Sequence, residues 1–250
     1  RRALADADVV LAPSRYTIER LAVAQRIPRE KIRLLPWPLS ADFLRMAAKP
    51  DALPLAPDVP RGCILLTVGR WASCERYKGV DELIRAVARL RADFPDLRLV
   101  VAGGGDDLPR LRALAAVLGV ADRVHFLGRI SCEEIAACYA HADVFALPST
   151  GEGFGLVFLE AMAFAKPLVG AAWGGTTDVI EDGVNGLLVP PGDTEGLAQV
   201  LDRLLREHSL RAEMGQRGAE IVRRKYRFDV FQAGLERILG ECDLREQTPA

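Results

Sequence analysis

Two carboxylates stand with seven residues between them in Ser149-Thr150-Gly151-Glu152-Gly153-Phe154-Gly155-Leu156-Val157-Phe158-Leu159-Glu160-Ala161. The stretch follows an apolar run ending at Leu147-Pro148, so it starts where a strand gives way to a helix. Gly153 and Gly155 leave backbone N–H groups open to a ligand at that helix start. With the helix predicted over Phe154–Phe164, Glu160 lies six residues in, roughly 9 Å along the axis. Its neighbours Phe158, Leu159, Ala161 and Met162 make the helix apolar nearly all round. A carboxylate there is costly unless hydrogen-bonded, so Glu160 calls for partners such as ligand hydroxyls. The plainer readings are a structural ion pair for Glu160 and a helix-start acid for Glu152, favoured by the dipole.

A second group follows the apolar run Cys63–Val68. Gly69 lets the backbone turn sharply, Arg70 offers a forked donor, and Lys78-Gly79 opens a helix with a point charge at its N-terminus. Unpaired N–H groups and two cations suit an anion such as a diphosphate. Surface charges beside a turn are the alternative. Gly103-Gly-Gly105 starts like a dinucleotide fingerprint, but position 108 is Leu, so it reads as a packing turn. His125, His141 and His208 share no metal or triad spacing, and Ser149 has no Gly-x-Ser-x-Gly frame.

The elements that position these residues are short apolar runs alternating with amphipathic stretches. Strands are predicted at Cys63–Val68, Leu97–Ala102, Val124–Leu127, Val144–Leu147, Pro167–Gly170 and Gly186–Val189. Helices are predicted at Val80–Phe94, Leu108–Leu118, Glu133–Ala140, Phe154–Phe164, Thr176–Glu181 and Thr194–Arg206. Strands of Val, Ile and Leu without polar alternation belong to a parallel sheet covered on both faces. The fold class is therefore α/β, a Rossmann-like doubly wound parallel sheet, with ligands expected beyond the strands' carboxyl ends.

Residues 1–48 read as the remnant of another domain: strand Val9–Ala12, a Ser14-capped helix through Gln25, and strand Ile32–Leu35. Residues 49–61, with Pro50, Pro54, Pro57 and Pro60, form a linker. Residues 62–227 are the ligand-binding domain, and 228–250 a last helix (Phe228–Gly240) and a frayed tail. The chain begins as though it continued upstream.

With 33 basic and 34 acidic residues the net charge is −1, which lacks the basic excess of a nucleic-acid binder. Five cysteines without a Cys-x-x-Cys pair suggest neither a disulfide framework nor a metal site, so a reducing cytoplasm is the expected location. The most apolar stretch, Gly155 to Gly175, contains Glu160, Lys166 and Pro167 and is no membrane span. The cluster Arg223, Arg224, Lys225 and Arg227 reads as a solvated helix face, with peripheral membrane contact as the alternative.

The Glu152/Glu160 pair around Gly-Phe-Gly-Leu resembles the Glu-x7-Glu signature of retaining GT-B glycosyltransferases, and is most similar to glycosyltransferase group 1, or family 4. Val68-Gly-Arg70 with Lys78-Gly79, Phe126-Leu-Gly128, and Gly174-Gly175 through Pro190 agree, and the resemblance spans roughly residues 3–240. It implies catalytic roles for Arg70 and Lys78 on the donor diphosphate and for Glu152 on the transferred sugar. It implies that Glu160 binds ribose, that Gly69 belongs to the donor site, that the backbone of Gly153, Phe154, Gly155, Leu156 and Val157 lines sugar and phosphate, and that the backbone at Arg129 and Ile130 faces the base. The partners implied are a nucleoside-diphosphate sugar and an acceptor (glycan, lipid or small molecule) on the facing N-terminal domain. No cofactor or metal is implied. Retention in this family is explained by front-face attack, with the leaving phosphate helping to deprotonate the acceptor.

Two departures from the family stand out: Ala165 where glycine is usual, and Pro36-Trp-Pro-Leu-Ser40 at the interdomain link. The chain is expected to bind donor and to be inactive alone. A non-catalytic nucleotide-sugar-binding or regulatory module, and a nucleotide-sugar epimerase, remain as rival readings.

Overall fold

The computed structural model describes residues 4, 6–53 and 59–246, with side chains in the last helix up to Glu241. Near the start, β1 (Val10–Ala12) and β2 (Ile32–Leu34) pair in parallel, with Val10 opposite Ile32. Helix α1 (Arg15–Ala24) connects them, its first turn capped by Ser14, which accepts from the Thr17 N–H. Val10, Ala12, Ile27 and Ile32 form a small core of their own.

The main sheet contains β3 (Cys63–Val68), β4 (Leu97–Ala102), β5 (Val124–Gly128), β6 (Val144–Leu147), β7 (Leu168–Ala171) and β8 (Gly186–Val189). Their order is β5-β4-β3-β6-β7-β8, and every pair is parallel. The chain winds outward one way from β3 and the other way from β6, so the switch point lies between these neighbours. That crevice is where open α/β sheets bind ligands. The strands are buried on both faces as their unbroken apolar runs require, with Leu65, Leu66, Val144 and Phe145 fully buried.

The helices that follow α1 are α2 (Ala41–Ala47), α3 (Val80–Leu90), α4 (Leu108–Val117), α5 (Cys132–His141), α6 (Leu156–Ala163), α7 (Thr176–Val179), α8 (Thr194–Arg206), α9 (His208–Lys225) and α10 (Phe228–Glu246). α4 and α5 differ from their predicted spans by no more than one residue at either end, and α3, α6 and α7 differ by more. α3 ends at Leu90, four residues short of Phe94, and the chain turns there with the Phe94 N–H bonded to the Leu90 carbonyl (3.0 Å) ahead of Pro95. α6 begins at Leu156, not Phe154, because Gly155 takes a left-handed φ of 83°. α7 stops at Val179, and Asn185 Oδ1 instead accepts the Glu181 N–H.

Two helices were not expected. α2 (Ala41–Ala47) is capped by Ser40, the residue that ends the unusual interdomain stretch. Its Phe43 packs edge-on to Tyr139 and Phe164. Leu39, Phe43, Leu44, Met46 and Ala47 thus join the large core, although the sequence places them with the first 48 residues. Of the expected linker, Pro50–Ala52 forms a 3-10 turn and Val59 is buried on the same core, while Pro54 and Pro57 lie outside the described residues. The last helix runs six residues past its expected end at Gly240, so Arg245 and Glu246 of the expected frayed tail Arg245–Ala250 are helical, and the rest of that tail lies outside the described residues.

α9 has little apolar signature because glycine supplies part of its buried face. A Cβ on Gly215 would lie 1.9 Å from the Ala165 carbonyl oxygen, and one on Gly218 3.2 Å from Met162 Cγ. Its last residues Arg223, Arg224 and Lys225 are exposed, with Lys225 Nζ 3.2 Å from Glu181. Among the described residues no helix is long and apolar enough to cross a membrane.

Candidate functional site

The turn after β3 is anchored by Trp71. This buried ring donates from Nε1 to the Ala102 carbonyl (3.1 Å), and the Trp71 N–H donates to the Gly104 carbonyl (2.9 Å). The approach is possible only without side chains opposite: a Cβ on Gly103 or Gly105 would lie 1.9 Å from the Gly69 or Trp71 carbonyl oxygen. The three glycines are a packing turn.

Arg70 and Lys78 converge on one carboxylate. Arg70 turns the Nε and Nη2 edge of its guanidinium to Glu75, with Nε 3.1 Å from Oε2. Lys78 Nζ lies 3.3 Å from the same oxygen. The Arg70 hydrogen bond, with Lys78 adding to it, holds the Glu75 carboxyl down at about 2 despite its burial. Sequence reading did not single out Glu75, because an acid in a mixed-charge loop has no periodic signature.

The loops after β3 and β6 are zipped together across the switch point. The Thr150 N–H donates to the Tyr77 carbonyl (2.8 Å), and Gly151 lies under the Tyr77 ring, where a Cβ would meet Cδ2 at 2.3 Å. Gly79, at a φ of 75°, packs against the Pro148 carbonyl. Lys78 and Glu152 consequently share a corner. Burial raises the Glu152 carboxyl above its usual range, and the nearby Lys78 charge only partly offsets this.

The segment leading into α6 is held from two sides. The Gly175 N–H donates to the Glu152 carbonyl (2.8 Å), and a Cβ on Gly175 would lie 2.1 Å from the Gly153 carbonyl oxygen. That carbonyl accepts from the hydroxyls of Ser14 and Thr17 at the start of α1. Phe154 turns its side chain into the core against Tyr226, 6.0 Å between ring centres, so its contribution to a ligand is backbone only. Leu156 is exposed and Val157 half-buried. Gly155 caps α6 without a side-chain bond, and among the described residues no other side chain is found on its first-turn N–H groups, an arrangement suited to an anion.

Glu160 is the fifth residue of α6, about 6 Å along it. The Tyr139 hydroxyl donates to its Oε2 at 2.9 Å. Burial pushes the Glu160 carboxyl up, and the phenol bond pulls it partly back. The partner is therefore a side-chain hydroxyl from α5, and among the described residues no ion pair to Glu160 is found. Arg129 (exposed) and Ile130 (half-buried) follow Gly128 on the far side of β3 and β4, tied in by the Gly103 N–H to the Gly128 carbonyl (2.8 Å). A groove of about 570 Å³ is lined by Val10, Leu11, Thr17 and Trp37 together with the loop Glu152–Leu156. Among the described residues no three His, Cys, Asp or Glu side chains gather as a metal site.

The doubly wound parallel sheet is the Rossmann-like fold of a GT-B glycosyltransferase half. Residues 62–221 match the family described as glycosyl transferases group 1, and the chain belongs to it. It is 40% identical over 201 residues to the D-inositol 3-phosphate glycosyltransferase of Salinispora tropica, covering 76% of this chain and 41% of that protein. It is 37% identical over 234 residues to the GDP-mannose-dependent alpha-(1-6)-phosphatidylinositol monomannoside mannosyltransferase of Mycolicibacterium smegmatis, covering 87% and 58% respectively. The sucrose-phosphate synthase of Thermosynechococcus elongatus superposes with a TM-score of 0.79 at 28% identity, over 98% of this chain and 60% of that one. The chain spans about half the length of the curated relatives it matches.

Proposed function

We propose that this chain is the donor-binding part of a retaining glycosyltransferase that draws its sugar from a nucleoside diphosphate. The observation that carries the reading is the convergence of Arg70 and Lys78 on a single carboxylate, in the corner that also contains Glu152. Two cations beside the open end of α6 match the charge that grows on a departing diphosphate, and preorganised charge of this kind needs no rearrangement during reaction. Arg70 keeps an unbonded edge of its guanidinium for a phosphate oxygen while Glu75 fixes the other.

In this reading Glu152 accepts from hydroxyls of the transferred sugar, and Glu160 from the ribose. The N–H groups from Gly153 to Val157 line sugar and phosphate, and Arg129 and Ile130 flank the base. The acceptor attacks from the face the diphosphate leaves, and the leaving phosphate takes its proton, so configuration is retained without an enzymatic nucleophile. Metal ions are not required, because the cations neutralise the leaving group.

The acceptor is held by a facing domain, and alignment across such a cleft supplies about 7–11 kcal/mol of a barrier. The 250-residue chain by itself accordingly binds donor without transferring sugar. Calorimetry with UDP, GDP and ADP, each free and sugar-linked, tests the reading. Binding of at least one, independent of chelator, is expected; a chain that binds none of the six is not a donor domain.

A further inference from the structure

Tyr139 is fully buried, yet its hydroxyl leaves the apolar core to meet the carboxylate of Glu160. Its ring is fixed from three directions. Phe164, at the end of α6, stacks on it with 5.9 Å between centres, Phe145 of β6 lies 5.6 Å away, and Phe43 of α2 meets it edge-on at 6.2 Å. α5 is itself fixed at its start by a reciprocal capping box between Ser131 and Glu134. The phenol therefore has one place to point.

Its oxygen also lies 3.2 Å from the Val157 carbonyl, but a phenol has one proton. The shorter contact, to a charged acceptor, takes it. Burial also pushes the phenol well above its usual range, so it stays a donor. The bond engages Oε2 of Glu160, and the remaining carboxylate lone pairs are available to a ligand with two neighbouring hydroxyls.

We propose that Tyr139 is a positioning residue for Glu160: its hydroxyl holds the half-buried carboxylate at 2.9 Å in the one orientation that accepts a ribose diol. This rests on the reading above that Glu160 meets the ribose. A merely structural role for Tyr139 would satisfy a buried hydroxyl and affect stability, but not the discrimination between ribose and dideoxyribose.

The test uses the 250-residue chain and whichever of UDP, GDP or ADP it binds, beside the matching 2′,3′-dideoxynucleoside diphosphate. Calorimetry gives the preference for the ribonucleotide. Glu160→Gln is expected to abolish that preference, Tyr139→Phe to cut it about five- to tenfold, and the double variant to add nothing to Glu160→Gln. Glu160→Asp keeps the charge but withdraws the carboxylate from Tyr139, and should lose the preference as well. This arm stands even if Tyr139→Phe does not fold. Tyr139→Phe with the wild-type preference, or Glu160→Asp with it, overturns the proposal. Glu160→Gln retaining it overturns instead the assignment of Glu160 to ribose.

Discussion

The hydroxyl of Ser14 donates to the carbonyl of Gly153, 139 residues further along the chain, and Thr17 Oγ1 shares that acceptor at 3.2 Å. A trans peptide is planar, with its N–H opposite its C=O. Fixing the Gly153 carbonyl therefore points the Phe154 N–H away from α1, and Gly174 and Gly175 leave room for this by packing directly on the Glu152 and Gly153 carbonyls.

Removing both hydroxyls, as Ser14→Ala with Thr17→Val, should loosen the segment proposed to line the sugar. Two neutral hydrogen bonds are worth about 1 kcal/mol each, or roughly 30-fold together. Calorimetry should show that loss for the nucleotide sugar and a smaller one for the sugar-free diphosphate. Unchanged affinity for both would mean that α1 merely rests on the loop.

Arg70→Ala and Lys78→Ala should each weaken nucleoside diphosphate binding by about 1.5–3 kcal/mol, the range for hydrogen bonds to charged groups. The corresponding nucleoside, without phosphate, should bind each variant and the parent alike. Equal losses for both ligands would place the phosphate elsewhere.

The two glutamates should separate by ligand. Glu160→Gln should weaken nucleotide binding with or without a sugar attached, whereas Glu152→Gln should spare the free diphosphate and impair the nucleotide sugar. Identical ligand profiles for the two variants would contradict their assigned positions.

Strands and the main amphipathic helices were legible because their apolar residues are continuous or periodic: α3 buries Val80, Leu83, Ile84, Val87 and Leu90. α9 was not, since its contact face uses Gly215 and Gly218 to admit the Ala165 carbonyl and Met162, and a hydrogen atom carries no hydrophobic pattern. α2 was hidden by its length, seven residues whose packing depends on Tyr139 and Phe164 far along the chain. In the site, the loops bearing Arg70, Lys78 and Glu152 could be placed at strand ends from sequence. The Glu75 contact and the Tyr139–Glu160 bond could not: the latter joins two helices at a separation of 21 residues, which no intrahelical spacing rule relates.

Ala165, where the family usually has glycine, sits at a φ of 54°. It closes α6 with paired bonds, its N–H to the Met162 carbonyl (2.9 Å) and the Lys166 N–H to the Ala161 carbonyl (3.0 Å). That left-handed position is strained for any residue with a Cβ. Ala165→Gly should therefore stabilise the chain by about 1 kcal/mol and raise Tm by about 2–4 °C. A lower Tm would show that glycine's greater unfolded-state entropy outweighs the relieved strain.

The pH dependence of binding should separate the site carboxylates from acid unfolding. Burial raises both Glu152 and Glu160 above the ordinary carboxylate value of 4.5. Glu152 also faces Lys78, Glu75 and Ser149, while Glu160 faces Tyr139. In their proposed roles each must be ionised to accept ligand hydroxyls on both oxygens, so affinity should fall as pH drops through these raised values. For stability the sign is opposite: a carboxyl raised in the folded state favours folding more as it protonates. Glu75, lowered to about 2, behaves the other way, and its contribution is lost as pH falls from 4.5 toward 2. Binding should thus weaken at a higher pH than the one at which Glu75 begins to cost stability. Glu160→Gln should flatten the acid limb for free nucleotide, and Glu152→Gln only the additional limb seen with nucleotide sugar. Titrations of affinity and of Tm against pH check this, and coincident midpoints would assign the loss of binding to unfolding instead.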